Sequence, residues 1–388
     1  MATNAIEQFQ NAFAGWLGVP RAFAFWKGRV AEYAILRCLG IAQGDEVILP
    51  GYTCVMDVNP ILYLGARPVY ADIDPGSYNS PPDLVEKKIT PRTKAILVQH
   101  TYGYPCEMDG FLDLSKRHGI PLVEDCCHAM GSTYRGRLCG TFGAAAYWSC
   151  QWNKPITTGL GGLATVNDSA LAARIEALCN HELHAPSAKT AAMLSIQRLV
   201  YRMFIYPKTT AMATNLFRWL TRKGLVVGSS AKSEFTPAMP PGFLTGMSVG
   251  QARAGLAKIK RIEANIAHRR QITRLYHQLL AEAGLNALAV PDWMDPVLVR
   301  YPVRVPNKAV VVAAAPSKSV EIGTWFDRPL HAAEGPLEPY EYQMGQCPQA
   351  ERACQEVVNL PTHPRAGART ARRSVEFLRA FAGGAPPA

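Results

Sequence analysis

The sequence predicts an α/β fold, with a large domain built on a mostly parallel sheet and a smaller α/β domain at the carboxyl end. Two observations lead to this prediction. Over residues 28–166, short apolar runs rich in β-forming residues alternate with helical patterns, as in sheets covered by helices. Beyond residue 247, a long amphipathic helical pattern leads into a proline-punctuated segment and a final helix near residues 369–382. Five apolar runs are predicted strands, at residues 46–49, 68–70, 95–98, 121–123 and 145–149.

The first helix of the large domain is marked by Pro20 and residues 27–29, and it runs to Leu39, where Gly40 ends it. A further strand follows the glycine-rich turn at residues 159–162. In open α/β sheets, ligands bind at the carboxyl ends of strands and at the amino ends of helices. We therefore expect functional side chains at these places.

The chain of 388 residues is long enough for two or three domains. We expect a large domain at residues 1–182, a basic, apolar helical insert at residues 183–240, and a smaller carboxyl-terminal domain at residues 241–388. With 48% hydrophobic and 18% charged residues, the composition excludes a disordered chain, a collagen-like chain and a disulfide scaffold.

The formal net charge of +11 is concentrated in two stretches. Residues 183–233 hold eight Lys or Arg and no Asp or Glu, and residues 365–388 hold five Arg and one Glu. The rest of the chain is almost neutral. The basic stretches contain no recognisable nucleic-acid reader module, so we expect no nucleic-acid partner.

The basic insert contains two predicted helices, at residues 192–206 and 211–223. Both combine large apolar residues with Arg or Lys, a pattern typical of helices that lie on an anionic membrane surface. The alternative is that they pack against a dimer partner or wall the active site, with their arginines solvated. Residues 185–232 are therefore a candidate segment for membrane-surface contact.

The ten cysteines favour a reducing, cytoplasmic location, with the inner face of the membrane as an alternative if the insert binds lipid. They include no CxxC pair and no zinc-type spacing, so we expect free thiols and no metal site. Residues 1–16 do not resemble a secretory signal, and no apolar run approaches the roughly 20 residues that span a bilayer.

The first chemical motif is IPLVEDCCHAMG at residues 120–131. It places Glu124 and Asp125 directly after a predicted strand, with His128 three residues after Asp125. A carboxylate at the end of a buried strand can bind a cationic ring nitrogen or a metal ion. The alternative is that Asp125 caps a following helix. This motif alone leaves both readings open.

The second motif lies at residues 146–167, where a strand ends at Ser149 and Lys154 precedes Pro155. Pro155 disfavours helical geometry at Lys154, which suits a side chain presented from a loop into a cleft. A lone loop lysine is more often a solvated surface charge. An aspartate followed by a lysine about 29 residues later nevertheless resembles the pair in pyridoxal phosphate enzymes of the aspartate aminotransferase fold. There the lysine forms a Schiff base and the aspartate keeps the pyridine nitrogen protonated.

Longer segments carry a more specific resemblance. They are GDEVILPGYTCV (44–55), YLGARPVYADID (63–74), ITPRTKAILVQHTYGYPCEMD (89–109), VEDCCHAMGSTYRGRLCGTFG (123–143) and, more weakly, residues 251–276 and NLPTHP (359–364). They are similar to the DegT/DnrJ/EryC1/StrS family of pyridoxal phosphate-dependent aminotransferases, which act mostly on nucleotide-linked keto sugars. The resemblance implies a fold type I enzyme, a homodimer, and pyridoxal 5′-phosphate as cofactor.

The resemblance also implies roles for individual residues. Lys154 matches the Schiff-base lysine and Asp125 the partner of the pyridine nitrogen, and these are the expected catalytic residues. His128 lies where the family usually has a glutamine near the phenolic oxygen of the cofactor. Ser149 matches the serine that binds the cofactor phosphate.

The phosphate loop and the cofactor-stacking position depart from the family pattern. Gly28 and Arg29 fall on the loop whose backbone N–H groups hold the phosphate, but Lys27 and Arg29 replace Ser and Thr. We therefore expect backbone amides and a guanidinium to bind the phosphate. Cys54 lies where an aromatic residue commonly stacks on the pyridine, and Tyr52 is a candidate substitute.

The resemblance implies transfer of an amino group, usually from glutamate, to a keto sugar carried by a nucleotide or a lipid, in cell-surface polysaccharide or related biosynthesis. Lys154 favours aminotransfer over dehydration, because relatives that dehydrate have His in its place. The alternative is a family member with altered catalysis: a dehydratase, or a regulatory or membrane-associated interaction protein.

Overall fold

The computed structural model of the chain describes residues 4–204, 228 and 232–381. Its strands are β1 (Arg21–Phe25), β2 (Glu46–Pro50), β3 (Thr53–Cys54), β4 (Arg67–Ala71), β5 (Thr93–Gln99), β6 (Leu122–Asp125), β7 (Thr133–Tyr134), β8 (Arg137–Leu138), β9 (Ala145–Ser149), β10 (Gly162–Val166), β11 (Met294–Asp295), β12 (Arg300–Arg304), β13 (Leu330–His331) and β14 (Val357–Pro361). Its α-helices are α1 (Asn4–Leu17), α2 (Gly28–Cys38), α3 (Val55–Tyr63), α4 (Pro82–Glu86), α5 (Met108–His118), α6 (Ser169–Glu182), α7 (Ala188–Phe204), α8 (Val249–Ile259), α9 (Ile262–Glu282), α10 (Lys308–Ala314), α11 (Pro348–Glu356) and α12 (Ala368–Arg379).

Seven strands form the main sheet, in the order β1-β10-β9-β6-β5-β2-β4. Strands β4, β2, β5, β6 and β9 run parallel to one another, and β10 is antiparallel to both β9 and β1. Every residue of β2, β6, β9 and β10 is buried, as expected for a sheet that is covered on both faces. The predicted α/β fold with a mostly parallel sheet is confirmed.

The five predicted strands are all present, and β10 is the strand predicted after the glycine-rich turn. The sequence did not predict β1, because RAFAF contains no β-branched residue. The helix predicted to follow residue 27 is α2, which packs against β9, β10 and α6. The carboxyl ends of the parallel strands β5, β6 and β9 lie at one edge of the sheet, where functional residues are expected.

The helical pattern beyond residue 247 forms two helices, α8 and α9, which are separated at Lys260 and Arg261. Ser248 begins α8 with a capping box, since its Oγ accepts the N–H of Gln251 (3.2 Å). The predicted final helix is α12, and β12 pairs antiparallel with β14 in the segment between. The boundaries proposed at residues 182/183 and 240/241 stay predictions.

The first helix, α1, belongs to a second apolar core that packs against the end of β9. It packs on α8 and β1 and contributes Phe9 and Phe13 to a cluster with Trp148, Ile262 and Ile266. The rings of Phe13 and Trp148 meet edge to face, with centres 5.2 Å apart. Trp148 is the residue before the end of β9. This core therefore fixes the end of β9, where the loop to β10 begins.

The basic insert is only partly within the described residues. Helix α7 covers most of the first predicted helix, whereas the second predicted helix, at residues 211–223, lies outside them. Across the part of the chain that the structure describes, no helix is long and apolar enough to cross a membrane. All ten cysteines are free thiols, as predicted.

Candidate active site

Lys154 lies in the loop between β9 and β10 and is buried, with 8% of its surface exposed. Its backbone N–H donates to the carbonyl of Gln151 (3.0 Å), and its Nζ lies 5.2 Å from the centre of the Trp325 ring. Burial lowers the pKa of Lys154, and the nearby Cys127 and Asp125 oppose that change. The alternative of a solvated surface lysine is therefore excluded.

Asp125 is the last residue of β6, and its partners across the sheet are Gln99 in β5 and Tyr147 in β9. Residues 126–132 form turns rather than a helix, and Oδ1 of Asp125 accepts the N–H of Cys127 (2.8 Å). The helix-cap alternative is therefore wrong. Burial raises the pKa of Asp125, while the bond from Cys127 and the charge of Lys154 lower it.

Two further carboxyl groups, Asp57 and Glu32, share the site, and neither was predicted from the sequence. Asp57, in the first turn of α3, has its pKa raised to about 8, first by burial and then by Asp125. Glu32, one turn into α2, is fully buried, and burial followed by Asp57 raises its pKa well above the usual range. A signal was present in the sequence for Asp57, which is a single acid on an otherwise apolar face of α3.

The amino end of α2 adjoins the carboxyl end of β9. A β-carbon on Gly28 would lie 3.2 Å from the carbonyl oxygen of Trp148 and 3.5 Å from Cβ of Ser149, so this close approach favours glycine. Lys27 precedes the helix in an extended conformation, and its side chain does not cap the first turn. The structure thus brings Gly28 and Ser149 together at a helix amino end, where backbone N–H groups favour an anion.

Lys27 and Arg29 share one buried counter-ion, Glu234. Nζ of Lys27 lies 2.6 Å from Oε2 of Glu234, and Nη1 of Arg29 lies 3.1 Å from Oε1. Burial and then Arg29 lower the pKa of Lys27 to about 8. Two cations against one carboxylate leave this end of the site net positive. The role of Glu234 was not predictable from local sequence, because 207 residues separate it from Lys27.

His128 stacks on Trp325, with ring centres 5.1 Å apart and ring planes 7° apart. Nδ1 of His128 accepts the N–H of Tyr102 (3.3 Å), and burial lowers the pKa of His128 well below its usual range. The imidazole is therefore neutral and fixed in orientation. Trp325, which no sequence signal marked, supplies the aromatic ring beside Lys154.

Tyr52 does not take the role proposed for it as a substitute ring, because its own ring contacts are with Tyr78, Tyr102 and Phe326. Cys54 ends β3, which pairs with β13, and it is an electrostatic neighbour of Lys154. Burial raises the pKa of Cys54 to about 12, so its thiol stays protonated. Cys54 is thus a neutral part of the site wall.

One buried group within the described residues, formed by His100, Glu124 and Cys126, has the composition of a metal site. The Glu124 oxygens already accept from Nε2 of His100 and from the backbone N–H groups of residues 140, 142 and 143. Nδ1 of His100 accepts the N–H of Cys106 (3.0 Å), and burial raises the pKa of Cys126 well above its usual range. The group is therefore a hydrogen-bond network that fixes the end of β6 beside Asp125.

Comparison with known proteins relates this arrangement to a family. The sequence model described as the DegT/DnrJ/EryC1/StrS aminotransferase family matches residues 1–204 and 209–379. GDP-perosamine synthase of Caulobacter vibrioides is 31% identical over 368 residues, which cover 92% of this chain and 85% of the relative. L-Glutamine:scyllo-inosose aminotransferase of Streptomyces griseus is 40% identical over 171 residues, 44% of this chain and 40% of the relative. Among solved structures, DesV of S. venezuelae, in complex with a ketimine intermediate, superposes with a TM-score of 0.77 and 26% identity, over 97% of this chain and 89% of its own.

Proposed function

Since this chain belongs to the DegT/DnrJ/EryC1/StrS aminotransferase family, we propose that it binds pyridoxal 5′-phosphate at Lys154 and transfers an amino group to a keto sugar. The observation that carries the proposal is a buried lysine, in the loop that follows β9, whose charge interacts with a buried aspartate at the end of the neighbouring parallel strand β6. Together with family membership, that pair favours aminotransfer over a dehydratase or a non-enzymatic interaction protein.

The residues of the site fit pyridoxal phosphate in their chemistry. The lowered pKa of Lys154 increases the fraction of free amine, which is the form that reacts with an aldehyde. Asp125 offers a carboxylate to a protonated ring nitrogen. At the other end, the first turn of α2, Ser149 and the net positive charge of Lys27 and Arg29 with Glu234 suit a phosphate dianion.

When bound, pyridoxal phosphate supplies an electron sink that stabilises negative charge on the carbon that loses its proton. The protein supplies the proton transfers. Nζ of Lys154 takes a proton from the donor carbon and returns it to another position, acting as general base and then general acid. With the cofactor bound, Asp125 would hold a proton on its ring nitrogen. His128 and Trp325 form a stacked pair of rings beside Lys154.

We propose that the acceptor is a keto sugar carried by a nucleotide or a lipid, and that the donor is glutamate or glutamine. One relative is named as a GDP-perosamine synthase and another as an L-glutamine:scyllo-inosose aminotransferase, so both a sugar and a cyclitol acceptor need testing. The resemblance in the sequence implied glutamate, and glutamine is the competing donor.

A half-reaction assay tests the acceptor. The protein that carries the cofactor in its amine form is mixed separately with each candidate acceptor. The acceptors are keto sugars linked to GDP, UDP, dTDP or a lipid diphosphate, and scyllo-inosose. We expect one keto sugar to restore the aldehyde absorbance in stoichiometric amount, with the Lys154→Ala variant as the inactive control. Conversion by scyllo-inosose and by none of the keto sugars would contradict the proposed acceptor. Glutamate and glutamine are compared as donors in the other half-reaction, which converts the aldehyde form of the cofactor to the amine form.

We also propose a homodimer, as in the family, and contact with a membrane surface through residues 185–232. Helix α7 supports the proposal of a binding surface, because it exposes three large apolar side chains. Ile196, Leu199 and Val200 are exposed by 64%, 58% and 48%. Arg198 on the same helix donates to the carbonyl of Gly250 (2.6 Å), and burial lowers its pKa. Arg198 is therefore not simply solvated, while packing of these helices against a dimer partner or the active site stays an alternative to the membrane contact.

Co-sedimentation with anionic vesicles tests the membrane contact. We expect the double variant I196S/L199S to lower binding by about tenfold or more, because two large apolar side chains no longer leave water on binding. Met344→Ser, which also changes an exposed apolar residue, is the matched control. Unchanged vesicle binding, together with a lower sedimentation coefficient for the double variant, would instead assign this face to the dimer.

A further inference from the structure

The hydrogen bonds around Asp57 show where one proton must lie. The amide NH₂ of Gln99 donates to the carbonyl of Tyr52 (3.0 Å) and to Oγ1 of Thr101 (2.8 Å), which fixes the orientation of the amide. Oε1 of Gln99 therefore faces the hydroxyl of Thr53, at 2.5 Å. The same hydroxyl lies 2.9 Å from Oδ2 of Asp57. Thr53 thus stands between two oxygen atoms.

A threonine hydroxyl has a single proton to donate. Oε1 of Gln99 can only accept, so the proton of Thr53 belongs in that bond, and Thr53 must accept from Asp57. A carboxylate cannot donate, whereas a carboxylic acid can. If Asp57 were ionised, either Thr53 and Gln99 or Thr53 and Asp57 would present two oxygens to each other with no proton between them. The hydrogen bonds are complete only when Asp57 carries a proton on Oδ2.

The charges of the site lead independently to the same protonation state. Among the residues that the structure describes, the titratable and charged groups that interact with Asp57 are Arg29 and Glu32 of α2, Cys54 of β3, Asp125 and Cys127 at the end of β6, Tyr147 of β9, and Lys154. Burial raises the pKa of the two thiols and of the phenol, so these groups are neutral. Arg29 already pairs with Glu234.

Three ionised carboxylates beside the ammonium of Lys154 would leave buried negative charge without a partner, which is costly in a protein interior. Neutral Glu32 and neutral Asp57 leave one carboxylate, Asp125, for one ammonium, Lys154. Burial and then the charge of Asp125 raise the pKa of Asp57 to about 8, which is the direction that this count requires, whereas a bond donated by Thr53 would lower it.

We propose that Asp57 is a positioning residue that stays protonated in the cofactor-free enzyme at neutral pH, donates to Thr53, and so leaves Asp125 as the ionised carboxylate of the site. The consequence for catalysis rests on the proposed function, since an ionised Asp125 is the form that keeps the ring nitrogen of the cofactor protonated. When Asp57 loses its proton, the second negative charge stabilises the ammonium form of Lys154. We therefore expect the loss of this proton to contribute to the fall of the reaction rate at alkaline pH.

Infrared difference spectroscopy on the cofactor-free, full-length chain tests the proposal. Asp57→Asn is the informative variant, because its amide NH₂ can donate to Thr53 as the acid does. In the difference between the wild type and the variant, we expect a C=O band of a protonated carboxylic acid well below pH 8 and a carboxylate band well above it. The protonated Glu32 is present in both proteins, so its band cancels in the difference. In the Asp125→Asn variant we expect the band to disappear at a lower pH than in the wild type, because the charge of Asp125 is one of the causes that raise the pKa of Asp57. If D57N removes a carboxylate band well below pH 8 instead, Asp57 is ionised and the proposal is overturned.

The pH dependence of stability gives a second readout. The pKa of Asp57 is higher in the folded chain, about 8, than its ordinary value of 3.8, so the folded chain binds the extra proton between these values. The free energy of unfolding of the wild type therefore falls, relative to D57N, between about pH 4 and about pH 8, with a slope of about one proton. Equal slopes in the two proteins would overturn the proposal.

If D57N does not fold, Thr53→Val replaces it in the infrared measurement. Valine removes the oxygen that accepts the proton, so the C=O band of Asp57 shifts to that of a more weakly bonded acid, and a band that does not move contradicts the assignment. None of these measurements uses the cofactor. They can therefore fail while the proposed aminotransferase activity stands, and the reverse also holds.

Discussion

Lys154→Ala is expected to lower the rate of amino transfer by a factor on the order of 10⁴ or more, because it removes both the amine that holds the cofactor and the group that moves the proton. Each of these losses alone accounts for part of the effect. The loss is measured as the rate of the half-reaction with the amino donor in the wild type and in the variant. The visible absorbance of the Schiff base, which we expect to vanish, reports on the cofactor linkage separately.

Two controls separate the chemistry of Lys154 from its charge and from general damage. Lys154→Arg keeps a cation in the site but cannot form the Schiff base, so we expect it to be as inactive as the alanine variant. Lys116→Ala changes an exposed lysine of α5 and is expected to be fully active. A Lys154→Ala protein with an intact visible band and wild-type turnover would show that another residue performs the reaction.

Asp125→Asn has the second largest expected effect, a loss of rate on the order of 10²–10³-fold. Asparagine keeps an oxygen for the N–H of Cys127, so the local turn is preserved. It has no negative charge to hold the proton on the ring nitrogen, and the electron sink is weakened. We expect the visible band to remain, because Lys154 is unchanged, while the half-reaction slows.

Asp57→Asn is the matched control for this variant, since it makes the same chemical change in a neighbouring carboxyl group. At neutral pH it is expected to cost less than about tenfold, because Asp57 is already uncharged in our proposal. An Asp125→Asn protein that reacts at the wild-type rate would contradict the role of Asp125. Similar large losses in both variants would contradict the division of charge between the two groups.

The main sheet could be predicted from the sequence because its central strands are buried on both faces and appear as short apolar runs. The same logic placed Asp125 and the loop that carries Lys154 at neighbouring strand ends. It missed β1, whose RAFAF sequence lacks β-branched residues, and it did not see the break between α8 and α9. The local sequence pattern therefore predicted the central strands of the large domain better than the edge strand β1 and the helices α8 and α9.

Contacts between distant segments could not be predicted. Trp325 reaches Lys154 from far along the chain, and Tyr52, although near Cys54 in sequence, belongs to a separate aromatic cluster. Glu234 meets Lys27 only through tertiary structure. Asp57 was visible as an acid on an apolar helix, but its protonation depends on a hydroxyl and an amide that only the fold places beside it.

The ion pairs of Glu234 have a consequence for the order in which the protein folds. Asp125 and Lys154 lie 29 residues apart in the sequence, inside a sheet that is complete at Val166. Lys27 and Glu234 lie 207 residues apart, and closing so long a loop costs more chain entropy. As the ribosome releases the chain from its amino end, Lys154 and Asp125 can meet well before Lys27 and Arg29 pair with Glu234. We therefore expect the nascent chain to bring Lys154 near Asp125 first and to gain the buried counter-ion of Lys27 and Arg29 only after residue 234 has emerged.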